Sequence, residues 1–367
     1  MFHHRNRCKA LVAAIGATLA TGALPATADV KVYGLVHVSV DWLDPGDQGA
    51  SNDAASRKNT SVSSNSSRWG LDVTEKLGNG LTAIAKLESE LDATGETASQ
   101  NTRNRYVGLK GGGGQLLAGV YDTPFKQIRS AVDLFNEQPG DIRNLVTGGA
   151  TWDLRPPNAV RYDTPNWNGF MASYLHSTDR TADTTAEDNR RRLDSVGLNY
   201  AKGPLYAAFA YETHRYNTVA DNGNPTETGY RLGASYNVGA FKVIGLYNDL
   251  KDLGGTATGA ASVNRKSWAI GGAYTAGNNI FKLQYTKADD LSNNTAGASQ
   301  PETGATLWAV GWEHLFSKAT KIYVDYAKTD NDANSTFAVA NSGRGDQVTP
   351  GAGGDPQIWS VGMIVNF

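Results

Sequence analysis

The chain is poor in the residues that proteins use for covalent or metal-based stabilisation. It holds one cysteine, Cys8, in 367 residues. A disulfide within the chain and a cysteine-based metal site are both excluded. Histidine is scarce: beyond residue 28 only His37, His176, His214 and His314 occur. There is no H-E-x-x-H, no pair at metal-ligand spacing and no G-x-S-x-G. "GGGG" at 111–114 precedes no helical pattern and reads as a turn, not a phosphate cradle. These absences argue against an enzyme and against a resident metal or other cofactor. Asp289, Asp290 and the acids at 330–332 read as solvated loop charges, with an outer calcium site as the alternative. Charge of one sign is also lacking, since 34 Lys and Arg meet 36 Asp and Glu. No basic stripe offers itself to nucleic acid. Mean hydropathy is -0.41, and nothing beyond residue 28 is long and apolar enough for a transmembrane helix.

What is present begins with an export pattern. The basic "MFHHRNRCKA" is followed by the apolar "LVAAIGATLATGAL" and then "PATA" before Asp29. Ordered basic, apolar and small-residue zones mark residues 1–28 as a cleaved secretory signal, with the A-x-A site at Ala26 and Ala28. Its removal takes away Arg5, Arg7 and Lys9 and moves the formal net charge from -2 to -5. Cys8 goes with it.

Residues 29–367 alternate. "GYRLGASYNV" sets Tyr230, Leu232, Ala234, Tyr236 and Val238 against Arg231, Gly233, Ser235 and Asn237. "KVYGLVHVSVDW" sets Val32, Gly34, Val36, Val38 and Val40 against Tyr33, Leu35, His37, Ser39 and Asp41. At the other end, Trp359, Val361, Met363, Val365 and Phe367 share one face. Period two means strands, about ten residues each. The connections between them are of two kinds, taken in turn. Seven are tight: 76–81, 110–115, 166–170, 201–205, 237–241, 275–279 and 316–320. Eight are longer and polar: 44–65, 92–102, 122–157, 179–190, 215–226, 251–263, 289–302 and 331–355. Fifteen connections join sixteen strands. A soluble sandwich would not sort short and long connections to opposite ends. An open sheet of sixteen strands would leave exposed edges. The reading is therefore an all-β transmembrane antiparallel barrel, closed because lipid cannot satisfy free backbone groups. Its apolar faces meet lipid or a neighbouring subunit, and its polar faces line water.

"SSRWGLDVTEKLGNGLTAIAKLESELD", "NRYVGLKGGGGQLLAGVYDTPF", "RYDTPNWNGFMASY", "HLFSKATKIYVDYAK" and "VGMIVNF" resemble the Gram-negative general porins. The resemblance runs from Asp29 to Phe367. It implies a homotrimer of sixteen-stranded barrels in the outer membrane of a Gram-negative bacterium, passing ions and small hydrophilic solutes. It also implies that Phe367 belongs to the signal read by the barrel-assembly machinery. The smooth apolar face of Val32, Gly34, Val36, Val38 and Val40 suits packing between subunits, with the second loop near Glu96 as a latch.

The third long connection stands apart, being too long and too apolar for a surface loop. Phe125, Ile128, Val132 and Phe135 recur at roughly helical spacing. The resemblance implies that this loop folds into the barrel and narrows it. Asp133, Glu137 and Asp141 would then face the opening. On the wall, the resemblance places inward arginines at Arg68, Arg103 and Arg161, while Leu35 stands where some relatives carry a lysine. Strand parity adds Lys86, and adds Arg105 on the same face as Arg103, opposite Tyr106. Acids facing bases across a narrow wet pore would set up a transverse field that favours polar solutes. The leading expectation is a general diffusion channel. The alternatives are a substrate-specific channel for anions or small organic acids, and a barrel whose long loops serve adhesion.

Overall fold

A computed structural model of the chain describes residues 28–46, 58–95, 102–147, 152–178, 192–215, 226–253, 263–293, 299–340 and 350–367. The expected signal lies outside the described residues except for Ala28.

Sixteen antiparallel strands close into one barrel. They are β1 (Asp29–Asp44), β2, β3 (Leu81–Glu90), β4 (Thr102–Gly111), β5 (Gly114–Val120), β6 (Ala159–Asp163), β7 (Phe170–Ser177) and β8 (Leu193–Lys202). The second half comprises β9 (Leu205–Arg215), β10 (Thr226–Val238), β11 (Phe241–Leu253), β12 (Val263–Ala276), β13 (Asn279–Ala288), β14 (Ala305–Leu315), β15 (Thr320–Asn331) and β16 (Gln357–Asn366). Strand β2 is in two pieces, Asn59–Ser64 and Arg68–Gly78, which pair successively with β1. Two further short segments, Leu291–Asn293 and Ser299–Gln300, pair within the connection that follows β13. The tight turns and the longer connections join the strands in the expected order, but the first connection is shorter than the expected 44–65, because Asn59–Ser64 already pairs with β1.

Closure happens between β1 and β16, in register from Leu35 opposite Asn366 to Asp44 opposite Gln357. The last residue completes the seam. Phe367 and Gly34 exchange backbone hydrogen bonds of 2.9 and 3.0 Å. A Cβ on Gly34 would sit 2.1 Å from the Phe367 ring. The missing side chain is thus what lets the terminal aromatic lie flat on the first strand, on the outer face.

Alternation sorts the two faces. Val32, Trp42, Leu232, Val243 and Trp359 are exposed on the outside, while His37, Asp41, Arg231, Asn248 and Ser360 on the same strands are buried inside. Near the short-turn rim the outer face carries Trp167, Phe170, Phe241, Phe281, Phe316 and Phe367. Such aromatic girdles mark the interface between hydrocarbon and headgroups. No described helix is long enough to cross a membrane, because the strands do so.

The interior is not an open tube. The connection from β5 to β6 carries α1 (Pro124–Val132) and the short α2 (Arg143–Val146). Helix α1 starts at Thr123, whose side chain accepts a hydrogen bond from the Lys126 amide, with Pro124 in the first turn. Its apolar face of Phe125, Ile128 and Val132 is fully buried against the inner wall. The wall makes room with glycine: a Cβ on Gly233 of β10 would come within 2.5 Å of the Ile128 Cγ2.

Candidate functional site

The third loop is pinned along two stretches of wall. Phe125 and Trp152 cluster with Ala208 and Ala210 of β9 and Leu250 of β11. Farther along, Phe135 and Leu145 pack among Ala288, Ala305, Leu307, Ala309 and Ala327 of β13 to β15. Between these apolar anchors lies a buried ion network. The Arg129 guanidinium donates to Asp141 at 3.0 Å, to Asp133 at 3.3 Å and to Asp153. Arg231 reaches from β10 to the other oxygen of Asp153, donates to the Phe125 carbonyl at 3.1 Å and lies over the Phe125 ring. Gln284 of β13 donates to Asp133 at 3.0 Å and to the Gly140 carbonyl at 3.1 Å.

Burial and the neighbouring Asp141 hold the Asp133 carboxyl well above the usual carboxylate range. Burial works against Asp141 too, but Arg129 holds that carboxyl below it. Asp153 is likewise pulled down against burial, by Arg231 and Arg129, to about 2. The network sets the guanidinium groups of Arg129 and Arg231 against the carboxyl groups of Asp133, Asp141 and Asp153.

This corrects the expectation that Asp133, Glu137 and Asp141 face the opening together. The side chain of Asp133 is 0% exposed and that of Asp141 2%. Desolvated carboxylates need a cation, and Arg129 on the same loop supplies one. Only Glu137 reaches the lumen, at 21% side-chain exposure. It accepts Arg68 at 2.9 Å and lies 3.8 Å from Arg103. Glu137 so bridges the loop to the opposite wall, on β2 and β4.

The remaining predicted cations separate. Arg103 also donates to Glu88 of β3 at 2.6 Å. Lys86 lies beside them, ion-paired to Asp72 at 2.7 Å and donating to Tyr33. Arg161 is buried, paired with Asp163 at 2.8 Å and bonded to Gln127 and the Asp122 carbonyl, so it braces the loop entrance rather than facing the opening. Arg105 does not share a face with Arg103. It pairs in register with Leu87, which points outward, and donates to Ser89. A bulge between the Leu87 and Ser89 pairings gives β4 one extra residue and inverts the parity beyond Arg105. Tyr106 is accordingly inside, in register with Lys86 and packed on Tyr121.

Sequence reasoning missed Arg129, Asp153 and Arg231. The spacing of four between Arg129 and Asp133 was a readable signal. The arginine of β10 and the acid of the loop's return limb are 78 residues apart, and nothing local connects them. The acids Asp289 and Asp290 act as braces. Asp290 accepts the amides of Thr303 and Gly304, and Asp289 pairs with Lys287. His314 sits at the short-turn rim beside Phe316, bonded to Asn279.

A closed sixteen-stranded barrel with aromatic girdles outside and a charged loop laid across its lumen is an outer-membrane channel. The sequence matches the family model described as Gram-negative porin over residues 10–334, and the chain belongs to that family. Outer membrane porin protein 32 of Delftia acidovorans is 29% identical over 348 residues, covering 91% of this chain and 93% of that protein. Major outer membrane protein P.IB of Neisseria sicca is 26% identical over 329 residues, covering 84% and 91%. Among solved structures, the anion-selective porin from Comamonas acidovorans superposes with a TM-score of 0.76 at 26% identity, covering 93% of this chain and all of that one. The protein is a porin of a Gram-negative outer membrane.

The network predicts how the loop fails. Arg129→Met leaves Asp141 and Asp153 short of a buried partner, at a cost of about 3–5 kcal/mol. That cost falls on loop attachment, because the barrel ladder is untouched. Single-channel recordings should show a noisy, fluctuating open current in a barrel that still folds. A steady wild-type current would contradict the network's role. Wild type should show the same noise in acid. Asp153 contributes its stability above the ordinary carboxylate range and loses it as pH falls from about 4 toward 2.

Proposed function

We propose that the chain works as a general diffusion channel, not as an enzyme, and that its narrowest part lies between Glu137 of the third loop and the wall cations Arg68, Arg103 and Lys86. The observation that carries this reading is the Glu137 bridge to Arg68 and Arg103. Fixed charges in a narrow lumen with low-dielectric walls are weakly screened and orient polar solutes and water. An apolar solute gains nothing there. Arg68, Arg103 and Lys86 are matched by Glu137, Glu88 and Asp72, which suits a channel of mild rather than strict preference. A second reading, a channel for anions or small organic acids, draws on the withdrawal of Asp133 and Asp141 from the opening. The likeness to the anion-selective porin from Comamonas acidovorans points the same way.

The assembly we propose is a homotrimer joined through β1, β2 and β16. Support comes from the outward apolar face of Val30, Val32, Val40 and Val62 with Val361 and Met363. The expected latch near Glu96 lies outside the described residues. We also propose that residues 1–28 are removed on export, that Phe367 is read during assembly, and that outer-membrane lipids cover the rest of the barrel.

Two measurements test these readings. Reversal potential across a planar bilayer should shift toward anions in Glu137→Gln and toward cations in the Arg68→Gln, Arg103→Gln double variant. Both shifts should shrink at 1 M salt, where screening cuts charge reach to about 3 Å. Variants that move in the same direction would sink the charged-constriction reading. Native mass spectrometry in mild detergent should find three copies of a chain beginning at Asp29. A monomer at every concentration, or a chain that keeps Met1, would contradict the corresponding proposal.

A further inference from the structure

The charges on the wall of the constriction are joined by a group that carries none. Tyr33 of β1 faces inward opposite Gly70 of β2, and Gly70 in turn stands opposite Glu88 of β3. A Cβ on Gly70 would sit 2.6 Å from the Tyr33 hydroxyl oxygen. The missing side chain lets the phenol lie across β2 and reach β3. There its hydroxyl donates to one carboxylate oxygen of Glu88 at 2.8 Å and accepts the Lys86 ammonium at 2.9 Å. The other Glu88 oxygen takes Arg103 at 2.6 Å. Lys86 also reaches Asp72 at 2.7 Å. One chain of contacts therefore runs from Asp72 through Lys86, Tyr33, Glu88 and Arg103 to Glu137 and Arg68. Tyr33 is its one uncharged link.

The place of that link decides where a charge sits. Lys86 and Glu88 are two residues apart on one strand, so both point inward. Glu88 and Asp72 are the two carboxylates within reach of the Lys86 ammonium, and they differ in exposure. The Glu88 side chain is 9% exposed and that of Asp72 41%. Attraction between charges is stronger where water is scarcer. A desolvated carboxylate oxygen without a donor is also costly. Left to themselves, Lys86 and Glu88 would meet. The Tyr33 hydroxyl fills that Glu88 oxygen and offers Lys86 an acceptor of its own, so the ammonium stays with Asp72.

We propose that the Tyr33 hydroxyl is a specificity-determining group of the channel: by occupying Glu88 it keeps the Lys86 ammonium beside Asp72, where passing ions feel it. The proposal rests on the charged constriction described above and adds to it a residue that sets selectivity without bearing charge. Tyr33 acts through Lys86 and is therefore a positioning residue. Without the hydroxyl, Lys86 turns in to Glu88, Asp72 loses its partner, and the channel favours cations more than wild type does.

Reversal potential across a planar bilayer at low salt is the measurement, on wild type, Tyr33→Phe, Lys86→Gln, the Tyr33→Phe, Lys86→Gln double variant and Glu137→Gln. Phenylalanine keeps the ring over Gly70 and removes a hydroxyl but no charge. Tyr33→Phe should shift the potential toward cations, by no more than Lys86→Gln does, because moving a charge aside does less than deleting it. In the double variant the hydroxyl has no ammonium left to hold, so the potential should match that of Lys86→Gln alone. A Tyr33→Phe channel with the wild-type potential, or one shifted toward anions, would overturn the proposal. So would a double variant in which the two shifts add, since Tyr33 would then act independently of Lys86. Glu137→Gln separates the two readings. If it shifts toward anions while Tyr33→Phe does not move, the constriction stands and the role of the hydroxyl falls. If neither variant moves, the charged constriction fails and the proposal fails with it.

Discussion

The pore depends on how five buried ionisable groups are paired. Arg129, Arg231, Asp133, Asp141 and Asp153 lie in the space between the third loop and the wall, where an unpaired charge costs several kcal/mol. Each of these carboxyl groups has a guanidinium against it, so the loop can lie against the wall with its charges paired. Apolar packing of Phe125, Ile128, Val132 and Phe135 supplies attraction, at about 1.5–3 kcal/mol for each fully buried side chain. That attraction has no direction. The hydrogen-bonded charges decide which residues of the loop face the wall and which face the lumen. Glu137 faces the lumen because Asp141 holds its amide at 3.0 Å and leaves its side chain free to meet Arg68.

The barrel supplies the frame for that arrangement. Inward side chains on β9 to β12 are small or absent where the loop approaches, as at Ala208, Ala210, Gly229 and Gly233. A Cβ on Gly229 would come within 2.3 Å of the Trp152 ring. The opposite wall, on β2 to β4, carries large polar and charged groups instead. One half of the barrel therefore holds the loop and the other half lines the passage. The outward face follows a different rule and is mostly apolar, since it meets lipid.

The strands, their number, the sorting of turns and the apolar side of α1 were legible because period two and helical spacing are local properties. So were the faces of Val32, Leu232 and Trp359. Arg105 was misplaced because parity carries along a strand only until a bulge, and one extra residue in β4 is invisible to pattern counting. Asp133 and Asp141 were misplaced because an acid on a lumen loop reads as solvated unless its cation is known. Arg129 is near in sequence, yet Arg231 and Gln284 come from distant strands.

The direct test of the buried clamp is a covalent one. A Cβ on Gly233 would come within 2.5 Å of the Ile128 Cγ2, so cysteines at these two sites fall within disulfide reach. In a chain truncated to begin at Asp29, which has no other cysteine, Ile128→Cys with Gly233→Cys should oxidise readily. The oxidised channel should conduct like its reduced form, because the bond fastens the loop where it already rests. Failure to cross-link in a folded barrel, or a conductance that changes when the bond is reduced, would mean that the loop does not lie against β10.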